Sequence, residues 1–340
     1  MTVTISARPQ YESTAARPAW RDLPAAVRQL VVRRGGGAVA GVTTAGGGFT
    51  PGFAGVVRGP HDTQFVKAVD TAAHPVIADC YRREVGINRA LPAGVSAPRV
   101  RWAQEAAGWL VLGFDAVDRA RMPANPWRPE ELAATLDACA AYAEALAAPS
   151  PELLALGLQP IAEAETFDHW RRLAGGGTDP LPAWFPRELI APLAELEADW
   201  AAAATGGSVV HLDLRRDNVL LDTDGRAWIC DWNWPCLGAS WFDLPLLLAT
   251  AHADGHDADA LFAAQSVARG VAPEQLDAVL AGLAGYFLVT GAQPDPPGTT
   301  PALRRHQTWS GEVVLRWLSE RRGLPGRLTA QNAGWPRRTT

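Results

Sequence analysis

The chain has 340 residues, of which 48% are hydrophobic, with a formal net charge of −5. That length supports one large domain or two modest ones with a substantial core, and the hydrophobic content marks a globular rather than a disordered chain. The negative balance argues against a nucleic-acid partner. The four cysteines, Cys80, Cys139, Cys230 and Cys236, form no CxxC pair, so neither a disulfide scaffold nor a zinc site is predicted. No apolar run approaches 18 residues, so no membrane span is expected. Residues 1–18 are polar and lack an apolar stretch of signal-peptide length, so the expected location is the cytoplasm.

In chain order, residues 1–18 read as a flexible arm. Residues 20–32 have helical spacing, with Leu23, Val27, Leu30 and Val31 on one face. A strand over 39–44 and another from Gly55 to Arg58 flank a glycine-rich turn containing Gly46, Gly47, Gly48, Phe49, Thr50 and Gly52. Glycines let such a turn bring its backbone close to phosphate oxygens, although a plain hairpin fits the same residues. In 64–69, Phe65, Lys67 and Val69 alternate with Val66 and Ala68, which predicts a strand carrying one lysine among apolar neighbours. A lysine that blunts a sheet edge is the other reading.

Residues 72–91 form a predicted helix with Glu84 near its middle, where Arg82, Arg83 and Arg89 are alternative partners for it. Strands follow at 99–102 and 109–113. Helices are predicted over 130–147, 161–173 and 186–204, and later over 276–288 and 302–318. Residues after Arg322 read as a loose tail. The segment 252–259 holds two histidines and three aspartates, but without the spacing of a tetrahedral metal set. It reads as a helix end, a glycine stop and an acidic helix start, or, if it faces the cleft, as acids that attract a cationic substrate.

The chemistry concentrates in residues 209–231. Two β-branched residues lead into the polar loop His211-Leu212-Asp213-Leu214-Arg215-Arg216-Asp217-Asn218. Two short apolar runs follow, joined by the turn Asp222-Thr223-Asp224-Gly225, and Asp231 ends the second. A hairpin places Asn218 and Asp231 at the same end, so both can face one point. Asp213 suits the group that accepts a hydroxyl proton. Asn218 and Asp231 offer the amide and carboxylate oxygens that Mg²⁺ takes. The protein-kinase catalytic loop has the same frame, His-Arg-Asp followed four residues later by Asn.

These motifs resemble the aminoglycoside phosphotransferase and choline-kinase-like family, small-molecule relatives of the protein kinases. That family's loop reads His-x-Asp-x-x-x-x-Asn, and its metal aspartate often stands in Ile/Val-x-Asp-Trp, here Ile229-Cys230-Asp231-Trp232. The chain departs from protein kinases in having Trp232-Asn233 after that aspartate, where they have Phe-Gly. The resemblance implies an α+β, bilobal protein-kinase-like fold. A small antiparallel-sheet lobe over 19–113 would precede a larger, mainly helical lobe over 114–324, with a tail at 325–340.

The resemblance also implies site roles. ATP and Mg²⁺ are the cofactors. The turn at 46–52 covers the phosphates, Lys67 contacts them, and Glu84 steers Lys67. Leu112 and Phe114 mark the hinge where adenine meets backbone. Asp213 is the catalytic base, while His211 shapes its loop more than it reacts. Asn218 and Asp231 are the metal ligands, and Asp243 braces the loop from below. Arg215 and Arg216 contact phosphate or pair with Asp217; the sequence leaves both open. The implied partner is a hydroxylated small molecule: an aminoglycoside-like antibiotic, a choline-like alcohol, a sugar or an amino-acid alcohol. A kinase-fold regulatory protein without turnover is the alternative. Neither nucleic acid nor membrane is expected as a partner, and the oligomeric state is not legible.

Overall fold

The computed structural model describes residues 2–11, 14–324 and 327–330. Its strands in chain order are β1 (Thr2–Ile5), β2 (Gly41–Thr44), β3 (Phe53–Arg58), β4 (Thr63–Asp70), β5 (Val100–Ala106), β6 (Trp109–Asp115), β7 (Ser208–Val210), β8 (Val219–Leu221), β9 (Ala227–Ile229), β10 (Cys236–Gly238) and β11 (Arg327–Ala330). The helices are α1 (Ala25–Arg34), α2 (Pro75–Ala90), α3 (Pro129–Ala145), α4 (Pro151–Leu154), α5 (Ile161–Ala164), α6 (His169–Ala174), α7 (Ile190–Glu197), α8 (Trp200–Ala204), α9 (Asp243–Ala253), α10 (Ala258–Ala263), α11 (Pro273–Gly291) and α12 (Ala302–Arg322).

Strands β2 to β6 form one antiparallel five-stranded sheet in the order β2-β3-β4-β6-β5. Period-two alternation decides which face each side chain takes. Val66 and Ala68 of β4 and Val111 of β6 pack with Val27, Leu30 and Val31 of α1. Val69 of β4 and Leu110, Leu112 and Phe114 of β6 pack with Ala78, Tyr81 and Val85 of α2. Lys67 shares the parity of Val69 and so lies on the α2 side. The sheet is thus covered by one helix on each face, and the lysine is aimed at one of them.

The rest of the described chain is mainly helical. A large core runs from the end of α2 through α3 to α12 and contains the buried Trp170, Trp232 and Trp317. Two short antiparallel pairs, β7 with β10 and β8 with β9, sit on this body. The bilobal α+β kinase-like fold expected from sequence is therefore observed. Among the described residues, no helix is long and apolar enough to cross a membrane.

Several local expectations change. The helix read over 161–173 is broken at 165–168 into α5 and α6. The stretch 186–204 divides into a short 3-10 turn, α7 and α8. Residues 6–11 and 14–17, part of the stretch read as a flexible arm, are laid against the two lobes. Tyr11 and Thr14 are buried, and Ser6 bonds to Glu312 of α12. Within the tail, β11 pairs in parallel with β1; residues 325–326 and 331–340 lie outside the described residues.

Candidate active site

Three elements bring charge together on the α2 side of the sheet. Lys67 on β4 places Nζ 2.7 and 2.9 Å from the two carboxylate oxygens of Glu84 on α2. The same Nζ donates to Asp231 Oδ1, 164 residues further along the chain. Tyr81 and Phe114 rings lie 5.4 and 5.5 Å from it. Lys67 is 9% exposed and Glu84 2%. Burial alone would lower the Lys67 ammonium, but the carboxylates of Asp231 and Glu84 outweigh it and raise the group above its ordinary value. Burial raises Glu84, with Lys67 opposing. Asp231 is held down to about 2: burial works against its charge, and Lys67, by attraction and hydrogen bond, overcomes that. The surface pairing considered for Glu84 with neighbouring arginines is not what forms.

The loop bearing Asp213 is fastened from below. Asp243 at the start of α9 is 2% exposed. Its Oδ2 accepts the His211 N–H at 2.7 Å and the Tyr142 hydroxyl at 2.8 Å, while Oδ1 accepts the Leu212 N–H at 2.8 Å. Leu212 has φ +66°, a left-handed conformation that costs a bulky side chain of order 1–3 kcal/mol. The Asp243 carboxylate and the packing of Leu212 on the helical core hold it there. His211 is fully buried; its Nε2 is 2.9 Å from the Cys230 carbonyl, and its ring meets Trp232 edge-on with centroids 4.6 Å apart. It therefore links the loop to the strand carrying Asp231, as expected of a shaping residue.

The hairpin delivers the remaining groups. In the turn, Asp222 Oδ1 accepts the N–H groups of Asp224 and Arg226 at 3.0 and 2.9 Å, and Gly225 supplies the positive φ of 79°. Pairing of Val219 with Ile229 then sets Asn218 opposite Cys230, whose N–H donates to the Asn218 carbonyl at 2.9 Å. Asn218 Nδ2 donates to the Asp213 carbonyl and to Asp213 Oδ2 at 2.8 and 3.2 Å. So Asp213, Asn218 and Asp231 do converge. Asn218 Oδ1 and Asp231 Oδ2 have no hydrogen-bond partner among the described residues. Those two oxygens are the hard donors that Mg²⁺ prefers; it commonly takes one or two carboxylates and completes its shell with phosphate and water. No group of three or more His, Cys, Asp or Glu that could hold a metal occurs among the described residues.

Asp213 is engaged more tightly than the motif suggests. Arg215 Nη1 lies 2.5 and 2.7 Å from its two oxygens, and Arg215 Nε lies 3.0 Å from Asp217. Burial raises the Asp213 carboxyl above its ordinary range; Arg215 and then His211 pull it back. Arg216 instead pairs with Asp254 at 2.8 Å and lies 4.5 Å over the Trp127 ring, so it is a structural cation.

Elsewhere the expectations are met unevenly. Leu112 and Phe114 belong to β6, which is paired on both sides. Leu112 stands opposite Lys67 and Ala103, and Phe114 opposite Phe65 and Val100. They lie within the ladder and not in a hinge beyond it. Trp232 and Trp241 are core residues, while Trp234 is exposed. The turn at 46–52 is in place, and its carbonyls are engaged by residues 14–17. Arg17, Tyr11, Tyr142 and Asn233, which donates to Asp231 Oδ1 at 3.0 Å, were not expected. Only Asn233 carried a sequence signal, as part of the Trp-Asn that follows the metal aspartate.

Solved structures share this arrangement of elements. An aminoglycoside phosphotransferase from Alicyclobacillus acidocaldarius subsp. acidocaldarius matches with a TM-score of 0.52 at 17% identity, over 89% of this chain and 98% of its own. A spectinomycin phosphotransferase in complex with ADP and spectinomycin matches with a TM-score of 0.55 at 12% identity, over 86% and 98%. The fold is that of the aminoglycoside phosphotransferases. Identity at this level carries the phosphotransferase fold and no more. No family model and no curated protein matches the chain.

Proposed function

We propose that the protein is an ATP-dependent phosphotransferase that delivers the γ-phosphoryl group to a hydroxyl of a small molecule. The observation that carries this reading is the meeting of Lys67, Glu84 and Asp231, beside an Asp213 tied to Asn218. When bound, ATP supplies the phosphoryl group and Mg²⁺ neutralises its phosphates. Asn218 and Asp231 would hold the ion. Lys67, kept cationic by two carboxylates, offers its charge to phosphate oxygens. Asp213 orients an acceptor hydroxyl and takes its proton as the oxygen attacks. Little covalent work falls to the protein, so positioning and fixed charge do most of the catalysis.

The acceptor class remains that implied by the resemblance: an aminoglycoside-like antibiotic, a choline-like alcohol, a sugar or an amino-acid alcohol, handled in the cytoplasm. ADP release over a panel of hydroxylated amines and sugars tests the reading. Acceptor-dependent ADP formation that vanishes in Asp213→Ala supports it. The bidentate Arg215–Asp213 pair favours a second reading, a nucleotide-binding regulatory protein without turnover. Nucleotide binding with no ADP release across the panel would select that second reading.

A further inference from the structure

Residues 6–11 lie on the helical lobe and residues 14–17 on the sheet lobe. On the helical lobe, Ser6 N and Oγ donate to the Glu312 carboxylate at 2.6 and 2.9 Å, and Arg8 pairs with Asp254. Tyr11, 5% exposed, is hydrogen-bonded to His306 Nδ1 of α12 at 2.9 Å. On the sheet lobe, residues 14–17 grip the glycine-rich turn. The N–H groups of Thr14 and Ala15 donate to the Gly46 carbonyl at 3.0 and 3.2 Å, and Thr14 Oγ1 donates to the Gly48 carbonyl at 2.7 Å. Arg17 donates to the carbonyls of Gly47, Gly52 and Thr50 at 2.7, 3.1 and 3.3 Å.

The Arg17 guanidinium thus fills the inside of the turn. A Cβ at Gly48, where φ is +84°, would stand 2.9 Å from Arg17 Nη2. Arg17 Nε is buried and has no partner among the described residues. The turn's tip meets the helical lobe as well: the Phe49 ring stacks on His306 with centroids 5.1 Å apart, and the Arg215 guanidinium lies 5.2 Å from the Phe49 ring centroid. A turn so rich in glycine has little stiffness of its own, because glycine loses the most freedom on ordering. Its shape is therefore set by what holds its carbonyls. The lobes cannot part at this edge without breaking the Arg17 bonds or the contacts of Ser6, Arg8 and Tyr11.

We propose that Arg17 is the positioning residue of the glycine-rich turn, and that the contacts of residues 6–11 and 14–17 strap that turn to the helical lobe, so that nucleotide enters and leaves when the strap lets go. The gating half of this rests on the nucleotide-binding reading above; the bracing half does not.

The test separates the two. Amide hydrogen exchange of residues 46–52 is measured without nucleotide in the full chain and in Arg17→Ala, alongside stopped-flow release of a fluorescent ADP analogue. Arg17→Ala is expected to speed both by about tenfold, the scale of one or two lost hydrogen bonds, while exchange in α11 is unchanged. Arg17→Lys, which keeps the charge but not the fork of donors, should fall between. Arg8→Ala leaves every turn contact in place and should speed ADP release with a smaller change in exchange, which keeps the proposal testable if Arg17→Ala does not fold. Unchanged exchange at 46–52 in Arg17→Ala overturns the brace. Faster exchange with unchanged release overturns the gate. Failure of the unaltered chain to bind the ADP analogue overturns the nucleotide reading itself.

Discussion

Arg215 reaches back two residues to clamp Asp213, with Nη1 at 2.5 and 2.7 Å from its two carboxylate oxygens. Its own loop therefore favours the charged form of the proposed base, against burial. Burial raises the Asp213 carboxyl, and Arg215 is the largest influence opposing it. Removing that cation leaves burial opposed chiefly by His211, so the carboxyl rises further. A base must be ionised to act, so its acid limb moves in the same direction. In Arg215→Ala the acid limb of the pH–rate profile is expected at higher pH than in the unaltered protein. An acid limb that stays in place, or moves down, would show that Arg215 does not tune the base.

Asp213→Ala should keep nucleotide affinity and lose turnover by at least ~10²-fold, the lower end for removing a general base. Equilibrium binding of ATP and the turnover number with a working acceptor separate the two effects. Full turnover in this variant would remove Asp213 from the mechanism.

Asp243→Ala tests the brace. It leaves the N–H groups of His211 and Leu212 and the Tyr142 hydroxyl without their acceptor, in a buried place. A loss of about 3 kcal/mol is expected, from unsatisfied buried donors at ~1–3 kcal/mol each. Turnover should fall with nucleotide affinity retained, because Leu212 is no longer held in its left-handed conformation. Chemical denaturation checks the first effect, and a binding measurement checks the second.

These residues show how far the sequence could be read. The alternation around Lys67 and the hairpin that aligns Asn218 with Asp231 follow from periods and turn chemistry, which are local. Asp243 was legible only through resemblance, since its partners His211 and Leu212 lie 32 and 31 residues away. Arg17 was not legible at all. It acts on backbone carbonyls of Gly47, Thr50 and Gly52, and a carbonyl leaves no mark in a sequence. Polar composition alone made residues 1–18 look free. The break at 165–168 was missed because Phe167 and Trp170 keep an apolar spacing across it, although Phe167 packs from outside a helix against Trp200, Phe242 and Tyr286.

His306 gives a pH prediction. Burial, then the Arg215 charge, lowers it from 6.5 to about 3, with Asp217 opposing. A folded value below the unfolded one means stability is whole above pH 6.5 and is lost as pH falls from 6.5 through about 3. At pH 5 the loss from this one group is about 2 kcal/mol, at ~1.36 kcal/mol per pH unit below the unfolded value. His306→Gln lacks that titration. Melting temperatures at pH 7.5 and pH 5 should therefore differ less in the variant, by a few degrees. Equal pH sensitivity in both proteins would mean that His306 carries no such linkage.

The account's central claim is a cleft in which Asp231, held beside Lys67, takes the ion that accompanies ATP. Calorimetric titration of ATP, with Mg²⁺ and again with EDTA, tests it most directly on the unaltered chain and on Asp231→Ala. The account predicts binding that depends on Mg²⁺ in the unaltered chain and disappears in the variant. Absence of binding by the unaltered chain, or the same Mg²⁺-dependent affinity in Asp231→Ala, would contradict it.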